Sequence, residues 1–477
     1  MHIRVRESSQ RIKGKRVKRY QAVWYEDGRE YRETFDTREL AQDKLDGVKT
    51  QLAQGLSPAS LRERGRETFG TVAAQWLSTR HDLKPRTRAE YQNLLSDKKR
   101  PRRNADGDST AHLSISATFG HRPVNEITRA DIAEWVGKLT AAGKAASTVR
   151  HHFFVVRQVL AQAVADGRLM VNPADHVKLP SERSASGGTP GVVDDPDMFL
   201  TAAQVAALVN ATPWPCNVMV HLAAWSGLRA GELAGLQVGD VELPEPSINP
   251  NAPAKPGVLH VERTVIDVDG ALRYDTPKTK GSRRRVPLRP TTTELLRDYL
   301  AEHPRRNEPA APLFCAATLR PSKPTGRRAT DAEGNRIVPT AAEALAALSA
   351  DEAAERLILD WSSVLRQQTF YKAVFRPAVI RANRIAAELD GETTIPSVVL
   401  PPKLKFHALR HTYASLCVAA GIPPLQLSRF MGHAKVTTTL AIYTHLFEDD
   451  HAETMAALEA MSQPVSAPNV VPLLRRG

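Results

Sequence analysis

FHALRHTYASL, residues 406–416, sets His407, Arg410 and His411 at positions i, i+3 and i+4. On a helix that spacing stands two imidazoles and a guanidinium side by side, pointing one way. Such a row can clamp the nonbridging oxygens of a phosphodiester as negative charge builds on them. The plainer alternative is a helix that buries one His and exposes the Arg. Downstream, MGHAKVTTTLAIYTHLF (431–447) carries Gly432-His433 ahead of Tyr443, with His445 just beyond. A phenol, with a reference pKa of about 10, is a sluggish nucleophile near neutrality, so Tyr443 needs neighbouring cations or a base to react. Without that company it reads as a core aromatic.

Upstream, SGLRAGELAGL (226–236) puts Arg229 after a Gly227-Leu228 turn at the start of a helix, where backbone N–H groups and guanidinium can both face an anion. Glu232 would hold that Arg by a salt bridge, an arrangement that also suits a purely structural pair. Between these motifs, VLHVERTVIDVDGALRYDTPKTKGSRRRVPL (258–288) alternates apolar and polar residues around its turns and predicts a β-hairpin. Lys278 and Lys280 flank Thr279 beside the Gly281-Ser282 turn. A Lys there can reach a phosphate oxygen or hand a proton to a leaving oxygen, or can simply be solvated.

The rest of the chain supplies the setting. The 477 residues carry a formal charge of +13, with 42% hydrophobic and 25% charged residues, which fits a soluble protein of two or three domains. No apolar run approaches the roughly 20 residues of a membrane span. The opening MHIRVRESSQ lacks the apolar stretch of a secretory signal, so a cytoplasmic location is expected. Cys216, Cys315 and Cys417 form no CxxC pair and predict buried thiols rather than a disulfide framework or zinc site. Neither a metal-ligand cluster nor a phosphate-cradling Gly loop is evident, so no metal and no cofactor are expected.

The positive charge is clustered. Arg4 to Arg19 holds eight Lys or Arg against Glu7, and Lys84 to Arg103 holds eight against Glu90 and Asp97. Clusters of this kind suit a polyanion, because each cation set against a phosphate releases counterions, although a solvated basic face reads the same way. Arg11, Lys13, Lys15, Arg16, Lys18 and Arg19, with Lys84, Arg86 and Arg88, are the candidate DNA contacts. VKRYQAVWYEDGREYRETF (17–35) predicts a hairpin turning at Asp27-Gly28, followed by a helix over about 37–54. That small module suits DNA reading or protein interaction. Helices are predicted over 71–80, 85–96, 128–142 and 145–167, with an exposed loop at 100–112. SERSASGGTPGVVDDP (181–196) is the profile of a connector.

Taken together, Gly227-Leu228-Arg229 with Glu232, the PKTKGSRRRVPL hairpin, His407 with Arg410, Gly432-His433, and Tyr443 with His445 resemble, in order and spacing, the tyrosine recombinase family, the lambda-type integrases and their relatives. The resemblance spans about 199–459 and, more loosely, the helical segment before it. It implies a multidomain chain: a small N-terminal β-sheet-plus-helix domain for arm-type DNA (1–60), an all-α core-DNA-binding domain (66–180), a linker (181–197), an α+β catalytic domain (198–462) with an insertion at 320–356, and a disordered tail (463–477). By resemblance Tyr443 attacks the scissile phosphate and forms a 3′ phosphotyrosine. Arg229, Arg410, His407 and His433 then hold the phosphate and move protons, and the hairpin Lys is the general acid. The family's Lys commonly follows the position taken here by Pro277, which favours Lys278 over Lys280. The implied partners are double-stranded DNA at core and arm sites, three further copies in a homotetramer, and an excisionase or host DNA-bending protein. An N-terminal arm module favours the integrase of a phage or other mobile element over a Xer-like resolvase, a transposase of the same chemistry or a non-cutting DNA-binding protein. Met431, where Leu is usual before Gly-His, departs from the pattern.

Overall fold

A computed structural model describes residues 1–12, 15–26, 28–53, 57–58, 63–96, 111–181, 195–245, 255–277, 282–321, 329–330, 336–337, 339–389 and 398–443. The chain divides into two compact units, Met1–Gly187 and Gly188–Gly477. The first unit holds two distinct apolar clusters, one drawn from residues 3–48 and one from residues 69–179.

The first cluster lies between a sheet and a helix. Strands β1 (His2–Ile12), β2 (Lys15–Glu26) and β3 (Arg29–Phe35) form an antiparallel meander in the order β1-β2-β3. Tyr20 is opposite Phe35 and Trp24 opposite Tyr31. Gly28, at φ 77°, supplies the left-handed residue of the tight turn. Helix α1 (Arg38–Ala53) buries Ala41, Leu45 and Val48, one face at helical spacing, against Ala22 and Trp24. The predicted hairpin is thus two strands of three. His2–Ile12 escaped the sequence reading because its charges disguise a strand that a neighbour completes.

The second cluster is helical. It is built on α2 (Phe69–Thr79), α3 (Pro85–Leu95), α4 (Ile115–Phe119), α5 (Arg129–Ala141) and α6 (Ala146–Ala165). Val149, Phe153, Val156, Leu160 and Ala163 make one stripe of α6, packed with Trp76, Phe119 and Trp135. The Trp135 indole donates to Leu113 O at 2.9 Å, so the ring is buried with its N–H satisfied. Thr128 and Asp131 form a capping box that starts α5, and Arg122 beside Asp131, with Thr128, pushes that carboxyl down to about 2. The five residues of α4 were not predicted, being too short to show a period. No helix among the described residues is long and apolar enough to cross a membrane.

The second unit surrounds a larger core. Helices α7 (Ala202–Asn210), α8 (Cys216–Ser226) and α9 (Ala230–Gly235) lead into strands β4 (Val241–Glu242), β5 (Val258–Val261), β6 (Thr264–Val268), β7 (Ala271–Asp275) and β8 (Arg284–Pro287). The single predicted hairpin is two sheets, β4-β5-β8 and the hairpin β6-β7, which turns at Asp269-Gly270 with both residues at positive φ. Helix α10 (Pro290–Glu302) precedes β9 (Cys315–Leu319), which pairs with β10 (Leu357–Val364) across the expected insertion. The described part of that insertion holds a two-residue pairing, Ala329–Thr330 with Arg336–Ile337, and helices α11 (Ala341–Ala346) and α12 (Ala350–Glu355), in agreement with the helical reading of its second half. A π-helical turn, Tyr371–Phe375, runs into α13 (Arg376–Leu389). There Arg381, 1% exposed, donates to Leu345 O, Leu348 O and Ala211 O at 2.6 Å each. Helices α14 (Ala408–Ala419), α15 (Pro424–Met431) and α16 (Val436–Tyr443) complete the unit. All three cysteines are buried and free, and burial pushes Cys417 up to about 11. Most of the predicted loop at 100–112, most of the linker at 181–197 and the tail at 463–477 lie outside the described residues.

Candidate active site

Helix α8 ends at Gly227, which adopts φ 64°. A Cβ at this position would lie 2.3 Å from Tyr413 Cδ1, so both the backbone and the close approach of α14 require glycine. After Leu228 the chain turns back, and Arg229 occupies the N-cap of α9. Glu232 accepts from the Arg229 backbone N–H at 2.9 Å and from its Nη1 at 2.9 Å. Its Oε2 also accepts from Arg284 Nη2 at 2.9 Å. The carboxylate is buried, as is Arg284, whereas the Arg229 side chain is 41% exposed. Burial alone would raise the Glu232 carboxyl, but Arg284 and the Arg229 N–H outweigh it and hold the group below its ordinary value. Arg284 donates further to Phe430 O at 2.6 Å and Ser282 O at 3.1 Å, joining β8 to the end of α15.

Arg410, one turn into α14, is 4% exposed. Its Nη1 donates to Gly227 O, and its Nη2 to Met431 O at 2.7 Å and to His433 Nε2 at 3.0 Å. Both carbonyls close a helix C-terminus, where unpaired C=O groups carry partial negative charge. Burial, followed by the nearby Arg229, pulls this guanidinium below its ordinary value, yet a guanidinium remains cationic at neutral pH. Because His433 accepts at Nε2, its proton sits on Nδ1, which donates to Thr439 Oγ1 at 2.7 Å. Burial first, then Arg410, Arg229 and Arg284, push His433 down to about 4, so the ring is neutral.

Tyr443 ends α16 one turn after Thr439, and its ring packs with Tyr413, Ala414, Cys417, Leu427 and Met431. The Tyr443 hydroxyl lies 2.8 Å from His411 Nδ1. Burial pushes this phenol up to about 12, opposed by Arg410 and Arg229. His407, at the N-cap of α14, keeps an exposed side and sets its ring 4.9 Å from that of His411. Partial desolvation, then Arg410 and Arg229, hold His407 below its ordinary value.

Of the residues expected at the site, Arg229, Glu232, His407, Arg410, His411, His433 and Tyr443 come together here. Lys278, Lys280 and His445 lie outside the described residues. Two participants were missed. Arg284 is hidden in the run Arg283-Arg284-Arg285, but strand alternation puts it on the buried side with Val286 and Leu288, and that period was the available signal. Thr439 accepts from His433 six residues upstream, a separation outside the i, i+3 and i+4 pairs of a helix, so no local spacing signalled it. Chemically, the site offers one partly exposed guanidinium, two buried ones and neutral imidazoles around a phenol, a setting for an oxyanion that receives a nucleophile. No group of potential metal ligands occurs among the described residues.

The candidate DNA contacts belong to the first unit and are more dispersed. Lys18 is exposed on β2, whereas Arg19 pairs with Asp36. Lys84 caps α3 beside the exposed Arg86. Arg88 turns inward, donating to Leu77 O at 2.8 Å and to Arg80 O. Lys13 and the side chains of Arg11, Lys15 and Arg16 lie outside what is described.

Residues 198–449, more than half of the chain, match the model of the phage integrase family. The chain is 28% identical over 282 residues to the prophage phiRv2 integrase of Mycobacterium tuberculosis, an alignment covering 58% of this chain and 64% of that relative's length. It is 23% identical over 399 residues to a XerC-like tyrosine recombinase of Caldanaerobacter subterraneus, covering 82% of each. Among solved structures, a fragment of the Tn1549 transposon integrase in complex with circular intermediate DNA aligns with a TM-score of 0.48 at 16% identity, over 83% of this chain and 99% of that one.

Proposed function

The chain belongs to the phage integrase family, and from that premise we propose that it is a site-specific DNA recombinase that cuts and rejoins strands through a 3′ phosphotyrosine at Tyr443, integrating and excising a phage or other mobile element. The observation that carries this reading is the Tyr443 hydroxyl, held 2.8 Å from His411 in a core whose next neighbours are Arg410 and His433. A phenol pushed up to about 12 is inert by itself, and it becomes useful where an electrophile arrives on fixed positive charge.

Arg229 is the guanidinium with an exposed side chain, so it meets the nonbridging oxygens directly, together with His407. Arg410 acts from beneath: its hydrogen bonds go to Gly227, Met431 and His433, and its charge makes the pocket more positive without leaving those partners. Lys278, with Lys280 as its rival, protonates the departing 5′ oxygen. Tyr443 displaces that oxygen, and the bond energy is kept in the phosphotyrosine for the partner strand's 5′ hydroxyl. Double-stranded DNA is the partner, with the core site read by the helical domain and the arm site by the N-terminal sheet.

A duplex nicked close to the cleavage point tests the chemistry. Wild-type protein should become covalently joined to the DNA and Tyr443→Phe should not. Equal trapping by the two proteins would remove Tyr443 from the nucleophile's role.

A further inference from the structure

The contact between Tyr443 and His411 is suited to moving a proton. The phenol is 1% exposed and His411 8%, so neither has bulk water to serve as acceptor. A buried O–H needs a partner, and an imidazole nitrogen at 2.8 Å provides one. The groups facing His411 are His407 and Arg410 on its own helix, Tyr443 from α16, and His433 from the turn before α16. Burial, then His407 and Arg410, push His411 down to about 4, which leaves a lone pair on the ring throughout the neutral range.

Resting on the recombinase reading, we propose that His411 is the general base of strand cleavage, accepting the Tyr443 proton at Nδ1. As the phenol oxygen bonds to phosphorus, its proton passes to Nδ1, the bond from phosphorus to the 5′ oxygen breaks, and that oxygen takes a proton from the general acid. Rejoining reverses each transfer. The incoming 5′ hydroxyl gives its proton back to the general acid's conjugate base, the phosphotyrosine bond breaks, and the imidazolium returns its proton to the phenol oxygen. A weakly basic imidazole suits both directions: it leaves the resting phenol protonated, takes the proton only as bonding to phosphorus acidifies the phenol, and releases it readily on return. The negative charge of the bound phosphate offsets the extra cation while it lasts.

The test uses the full chain and the nicked duplex, with adduct formation timed from about pH 6 to about pH 9 and duplex binding measured alongside. His411→Asn keeps an acceptor near the Nδ1 position but cannot take the proton, and His411→Gln places one further out. Both variants should bind the duplex as wild type does and form adduct about 10²–10⁴-fold more slowly, the range of general-base contributions. Their rates should climb about tenfold per pH unit, since phenolate must form first, while wild type stays flat. Rates within about threefold of wild type, a slower rate with an unchanged flat profile, or loss of duplex binding in both variants would each make His411 a packing residue and overturn the assignment. Unimpaired His411→Asn with an inactive Tyr443→Phe would remove the base and leave the recombinase reading standing, whereas adduct formation by Tyr443→Phe would sink that reading itself.

Discussion

Replacing Glu232 by Ala strips a buried carboxylate from between two arginines. Arg284, whose side chain is 5% exposed, would then be a buried cation without its counter-ion, and removing one partner of a buried pair costs about 3–5 kcal/mol. The Arg229 backbone N–H also loses its cap, worth about 1 kcal/mol. The exposed half of the network, the Arg229 side chain, adds little in the presence of solvent. Urea unfolding followed by circular dichroism should therefore show Glu232→Ala at least about 3 kcal/mol less stable than wild type. A second variant, Glu232→Ala with Arg284→Met, should recover part of that loss, because an apolar replacement of both partners removes the stranded charge. The pH dependence has a defined sign. Glu232 is held below its ordinary value in the folded state, so its stabilisation is fully present above the ordinary carboxylate range and is lost as pH falls through the lower folded value. The gap between wild type and Glu232→Ala should narrow on acidification. A loss below about 1 kcal/mol, or a double variant no more stable than the single one, would refute the view that Glu232 is the counter-ion on which Arg284 depends.

Gly227→Ala should destabilise the protein by roughly 2–4 kcal/mol in the same unfolding assay, combining a left-handed backbone with a Cβ 2.3 Å from the Tyr413 ring; a change near zero would mean that the α8–α14 contact yields easily. Thr439→Val should cost about 1–3 kcal/mol by leaving the His433 Nδ1–H without its acceptor, while Arg410, which can only donate, keeps Nε2 as the unprotonated nitrogen. Nitrogen chemical shifts of His433 should therefore keep the Nδ1–H pattern in Thr439→Val, and Thr439→Ser should restore the wild-type stability.

The site was legible where it depends on local spacing. His407, Arg410 and His411 follow from one helical turn, and Arg229 with Glu232 follows from an N-cap and its third residue. Roles set by burial were not legible. No spacing rule says that Arg410 turns its donors to Gly227 O and Met431 O, 183 and 21 residues away in sequence, rather than out to solvent. The same holds for Arg88, which sits in a basic cluster yet closes the C-terminus of α2. Arg284 shows the intermediate case: its neighbours on both sides are Arg, so composition conceals it, while the two-residue period of a strand exposes it. Among larger features, α-helices with long apolar stripes were readable. Short pieces such as Ile115–Phe119 and the edge strand His2–Ile12 take their form from neighbours distant in sequence.

Arg381 makes residues 341–348 and α13 depend on each other in descent. A lineage that lost the segment would leave the guanidinium with Ala211 O alone of its three acceptors, and one that exchanged the arginine first would strand the carbonyls of Leu345 and Leu348 together with that of Ala211. Either step alone is penalised, so the two should be inherited or discarded as a pair, and relatives without the segment should carry an apolar residue at the corresponding place.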